Sequence, residues 1–121
     1  MALGLDKALG IHPYALSLRM DRTQLLAGNL ANVDTPGYQA RDIDYRAVLQ
    51  HTARQLEQGH SKPGGAAESL YRIPYQPSQD GNTVELSVEQ TAFAENAMDF
   101  QTSLTFLNIK LRGLNQAIEG R

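Results

Sequence analysis

Apolar residues recur with a helical period near both ends of the chain and lose that period in the middle. Toward the C-terminus Phe93, Ala97, Phe100, Leu104, Leu107, Leu111, Leu114 and Ile118 follow one another at alternating four- and three-residue steps, with no polar residue at any of these positions. Such a heptad stripe predicts a helix over 87–120, about 50 Å long at 1.5 Å per residue. Phe106 and Ile109 fall beside the seam and widen it, so a single partner helix would leave them wet. An ordinary intramolecular core is compatible with the same stripe. Ser87 with Gln90 has the form of a capping box. Glu85 and Glu89 stand near the positive end of the helix dipole, and Lys110 and Arg112 toward the negative end.

A second helix is predicted over 9–31. One row runs through Leu9, Leu16, Met20, Thr23, Ala27 and Leu30, and a second through Ile11, Tyr14, Leu18 and Leu25. Pro13 suits a first helical turn, where a missing N–H costs nothing, so the regular helix begins near His12. A short helical piece from Ala2 to Leu9 is a weaker expectation. The helix stops near Asn32, because Thr35-Pro36-Gly37-Tyr38 reads as a type II turn. In such a turn Pro36 presets φ at the second position, and Gly37 accepts the positive φ of the third. Gln39 to Arg46 reads as extended. Asp44 is placed to cap a short helix through Ala47, Val48, Leu49, Ala53 and Leu56, ended by Gly59. Residues 60–82 are loop-like: Lys62-Pro63-Gly64-Gly65 is flexible and Pro74 and Pro77 break regular structure. Within this stretch Leu70 to Tyr75 suggests a short strand or hairpin arm. The fold class is therefore mainly α, with long terminal helices packed as a coiled-coil-like pair. Three parts follow: an N-terminal helix (1–33), a turn, extended segment, short helix and variable loop (34–82), and the C-terminal heptad helix (83–121).

Composition narrows the function. The chain has 121 residues, one domain by length, with 41% hydrophobic residues, 7% aromatic and no Trp. That is thin for a compact core and suits helices packed through Leu and Ala. Eleven basic and thirteen acidic residues are interspersed, so no basic block exists to neutralise nucleic acid. The absence of Cys excludes disulfides, thiolate metal ligands and Cys nucleophiles. No stretch approaches the roughly 20 apolar residues of a membrane span, and the N-terminal residues lack the form of a cleaved secretory signal. His12, His51 and His60 have no second ligand at metal-binding spacing. Asp42 and Asp44, flanked by Arg41 and Arg46, read as a solvated or salt-bridged edge rather than an acid–base pair. Gly64-Gly65 lacks the ending of a phosphate loop, and the serines have no nucleophile context. The expectation is a non-enzymatic protein without metal or cofactor.

One segment is more specific. Asn29-Leu30-Ala31-Asn32, two residues, Thr35, Pro36, Gly37 and Tyr38, set after an apolar helix end, resembles the signature of the bacterial flagellar basal-body rod and hook proteins. Gln39 to Tyr45, Asp80 to Leu86, Ala94 to Ala97 and Lys110 to Leu114 extend the resemblance, which spans roughly 9–49 and 80–120 but not 57–79. The short length is similar to the proximal rod members rather than the distal rod and hook proteins, which carry inserted domains. The resemblance implies a structural subunit of the proximal rod, exported by the flagellar type III apparatus without a cleaved leader and assembled in the periplasm. It implies partners as well: copies of the chain, other rod proteins, a basal adaptor, export-gate proteins and the inner-membrane ring, with no nucleic acid and no direct membrane insertion. The assembly seam would comprise Leu16, Met20, Ala27 and Leu30 with Phe93, Ala97, Phe100, Leu104, Leu107, Leu111, Leu114 and Ile118. The alternatives are another of the short proximal rod types, or a cytoplasmic helical adaptor or chaperone-type module.

Overall fold

A computed structural model describes residues 9–59, 69–74 and 78–120. Helix α1 spans His12–Ala31, β1 Arg41–Ile43, α2 Tyr45–Glu57, β2 Ser69–Tyr71 and α3 Leu86–Glu119. The architecture is mainly helical, with the long terminal helices packed on each other and a small antiparallel sheet beside them.

Helix α1 starts where the sequence predicts, with Pro13 in its first turn. Beyond Asn32 the chain makes the expected turn: Tyr38 N–H donates to Thr35 O at 3.2 Å and Gly37 has φ +75°. Asp44 caps α2, its Oδ1 accepting from Ala47 N–H at 3.3 Å, and Gly59 leaves the helix with φ +90°. The strand expected within Leu70–Tyr75 is Ser69–Tyr71. It pairs antiparallel with β1 in the register Arg41↔Tyr71, Asp42↔Leu70 and Ile43↔Ser69. The helical piece at Ala2–Leu9, the Lys62–Gly65 loop and Pro77 lie wholly or mainly outside the described residues.

The capping box is a correction. Helix α3 begins at Leu86 with Glu85 at the N-cap position and no side-chain cap. Ser87 already lies inside the first turn, where its carbonyl accepts from the Thr91 hydroxyl. The entry to α3 is fixed upstream instead, by Asn82, whose Oδ1 accepts from Val84 N–H at 2.7 Å.

The core is small and partly polar. Ala15, Leu18, Leu26, Ala40, Ile43 and Ala92 are buried, and so are Asn29, Asn82, Glu89 and Asn96. The helices run antiparallel, because Asn29 meets Glu89 while Arg19 and Thr23 meet Asn96. Continuing that register brings the start of α1 near Leu104. No helix among the described residues is long and apolar enough to cross a membrane.

Candidate functional site

The signature residues build a joint between elements. Asn29, on the inner face of α1 and fully buried, grips the backbone of β1: its Oδ1 accepts from Arg41 N–H at 3.0 Å and its Nδ2 donates to Arg41 O at 2.7 Å. The carboxamide thus acts as a neighbouring strand would, satisfying an edge that a two-stranded sheet otherwise leaves open. The second Nδ2 hydrogen goes to Glu89 Oε2 of α3, at 2.9 Å. One side chain therefore ties three elements. Asn32 closes the end of α1, with Nδ2 donating to Gly28 O at 2.7 Å and Oδ1 accepting from the Thr35 hydroxyl at 3.0 Å. Leu30 is half-buried and Ala31 exposed, as are Thr35, Pro36 and Gly37. Gly37 N–H donates to Asp80 O, and Tyr38 O accepts from Thr83 N–H, both at 2.9 Å. Gly28 faces the half-buried Tyr38, and a β-carbon there would lie 3.5 Å from the Tyr38 hydroxyl, an ordinary contact.

Asn82 completes the joint from the far side of the chain. Its Nδ2 lies 3.0, 3.0 and 2.7 Å from the carbonyl oxygens of Asn32, Val33 and Thr35. These are carbonyls around the end of α1, where orphan acceptors and the negative pole of the dipole await a donor. The sequence draws attention to the Asp80–Leu86 stretch without assigning Asn82 a role. Its signal was an Asn just ahead of a helix, which ordinarily reads as that helix's own cap.

Beside the joint lies an ion cluster. Arg22 grips Asp42 with two bonds, Nε to Oδ1 at 2.8 Å and Nη2 to Oδ2 at 3.1 Å. Arg72 joins Asp42 Oδ2 at 2.9 Å and Glu89 Oε1 at 2.8 Å. The expected salt-bridged edge at Asp42 thus forms with Arg22 and Arg72, not with the sequence neighbours Arg41 and Arg46. Burial raises the Asp42 pKa, but hydrogen bonds from Arg22 and Ile43 N–H, with the charges of Arg22 and Arg72, outweigh it. The carboxyl is held below its usual range. Arg22 is raised, chiefly by its bond to Asp42. Arg41 turns outward to Tyr71, its Nη2 donating to the Tyr71 hydroxyl at 2.7 Å. No group of three His, Asp or Glu side chains is placed to hold a metal among the described residues.

Over 97% of its length, and 98% of the relative's, the chain is 50% identical to the flagellar basal body rod protein FlgB of Cereibacter sphaeroides. It is 43% identical to that of Aeromonas hydrophila, over 99% and 98% of the two chains, and 42% to that of Salmonella typhimurium, over 96% of each. The chain belongs to the FlgB family. No protein-family model matches it. FlgB membership makes it a component of the flagellar basal-body rod, as the signature resemblance anticipated, and the naming of the FlgB relatives as rod proteins points away from an enzyme.

Against the FlgB frame, the rows named for assembly lie beside the intramolecular contact rather than at its centre. The rows that α1 and α3 bury on each other are Ala15, Leu18, Leu26 and Asn29 against Glu89, Ala92 and Asn96. Leu16, Leu30, Phe93, Phe100, Leu104, Leu107 and Leu114 are half-buried, whereas Met20, Ala27, Ala97, Leu111 and Ile118 are exposed. Phe106 and Ile109 are more than half exposed, and Ile118 is 80% exposed.

Proposed function

We propose that this chain is an exported structural subunit of the proximal flagellar rod, assembled in the periplasm through its terminal helices. In this reading it links the export-gate and inner-membrane-ring base to the next rod subunits. The observation that carries it is the apolar surface left on α3. Helix α1 spans 20 residues and α3 34, so α3 runs on for about 20 Å past the start of the regular part of α1. Along that run Phe106, Ile109, Leu111 and Ile118 remain exposed. At about 25 cal/mol per Å², covering a few hundred Å² against each neighbouring copy offsets several kcal/mol of ordering entropy. Ordering of the distal part of α3 is thereby coupled to assembly. The joint at Asn29, Asn32 and Asn82 fixes where the chain leaves the helical layer.

The test replaces Leu107 and Leu111 together with Asp. Rod formation and swimming are expected to be lost, while the mutant chain is still made and secreted. A fully motile double mutant overturns the seam reading. Wild-type chain confined to the cytoplasm and missing from purified basal bodies would favour a cytoplasmic adaptor instead.

A further inference from the structure

Arg22, Asp42, Arg72 and Glu89 alternate in sign along one connected line, and each comes from a different part of the fold: α1, β1, the residue after β2, and α3. Glu89 is fully buried. Its Oε2 accepts from Asn29 and lies 3.4 Å from Arg72 Nη2. Its Oε1 has no aligned hydrogen bond among the described residues and is held by the charge of Arg72 Nε at 2.8 Å. Arg22 is already committed: both of its bonds go to Asp42, and the charges of Glu95 and Asp99 also act on it. Among the described residues, Arg72 is thus the cation on which the Glu89 charge depends. Arg72 belongs to the middle of the chain, directly after a three-residue strand whose partner strand is equally short. A two-stranded sheet of that size has little stability of its own.

We infer that Arg72 is a lock built into the free subunit. The mid-chain strand docks on β1 in the same step in which α3 packs on α1, because Glu89 enters the interior only with Arg72 in place. The dependence is unequal. A neutral side chain at 89 loosens the strand, which then keeps the Arg72–Asp42 pair alone of its two ion pairs, and leaves the helices packed, since Asn29 still has an amide oxygen to bond. Loss of Arg72 leaves a buried carboxylate without its cation, which opens the helix contact as well.

The test compares amide exchange along the purified full-length chain in the wild type, Arg72→Met, Glu89→Gln and the double variant. In Glu89→Gln, the Arg72 amide bonded to Ala40 O is expected to exchange faster, with Leu26, Asn29, Ala92 and Asn96 protected nearly as in the wild type. In Arg72→Met, protection is expected to fall at both places, with the folding equilibrium down on the order of a hundredfold or more. The double variant is expected to recover helix protection to within about tenfold of the wild type, the strand staying loose. Failure of Arg72→Met to fold agrees with the lock, and the double variant then decides. The lock is overturned if Arg72→Met keeps wild-type protection in the helices, if the double variant is no better than Arg72→Met, or if the wild-type chain lacks protection at Leu26 and Ala92.

Discussion

Asn82 shows how one carboxamide can set a whole connection. Its amide faces three carbonyls and its oxygen takes the Val84 N–H, so the orientation of the group is dictated by its surroundings. Asn82→Asp turns the donor into an acceptor against those carbonyls at the negative end of α1. The expected cost is about 3 kcal/mol or more, read as a lower urea midpoint, and Asn82→Ala should cost about 1–3 kcal/mol. Gly28 makes a contrasting case. It sits inside α1, and the space beside it admits a methyl group at ordinary contact distance from Tyr38. Gly28→Ala is therefore expected to leave thermal stability unchanged or raise it, by up to about 1 kcal/mol of helix propensity. Asp42 gives the pH dependence. Its folded pKa is depressed, so its contribution is present above the unfolded value of about 4. That contribution is lost as pH falls through the folded value. Melting temperatures followed from pH 7 to pH 2 should decline more gently in Asp42→Asn than in the wild type, from a lower starting point.

Among the elements, the α1–α3 contact hinges on Leu26, the largest wholly buried apolar side chain among the described residues. Leu26→Ala should cost about 2–5 kcal/mol, because a wholly buried leucine leaves a gap on which packed helices collapse only in part. Calorimetric or denaturant unfolding of the purified chain measures it. Both long helices, the type II turn, the Asp44 cap and the Gly59 stop were legible in the sequence, since each depends on neighbours within a few residues. The inner faces of the helices were not. Periodicity counts apolar positions, and Asn29, Glu89 and Asn96 look like solvent-facing residues until their partners are known. Those partners lie 12, 60, 77 and 73 residues away. The same separation hid the register of β1 with β2 and the pairing of Asp42 with Arg72. The apparent cap at Ser87 misled for a related reason: a local rule was overridden by Asn82, which is held by the other end of the chain.

For the molecule as a whole, the unequal lengths of α1 and α3 divide α3 into a docked part and an exposed part. In the free chain, amides of 89–96 should be protected and those of 108–119 should exchange rapidly, the second group becoming protected on incorporation into rods. Leu111→Asp with Ile118→Asp should accordingly leave the melting temperature of the free chain within about 0.5 kcal/mol equivalent of the wild type, as for exposed positions in general. A large fall would mean that the stripe is already spent within the subunit. The buried polar pairs between the helices carry a consequence of another kind. Two apolar helices have poor memory of their axial position: sliding one by a heptad, about 10 Å, sets leucine over leucine again. Such a slide would part Asn29 from Glu89 and Asn96 from Thr23, stranding each in the interior. These pairs work as a detent, admitting one stagger of the two helices. The exposed end of α3 then projects by a fixed length from every copy.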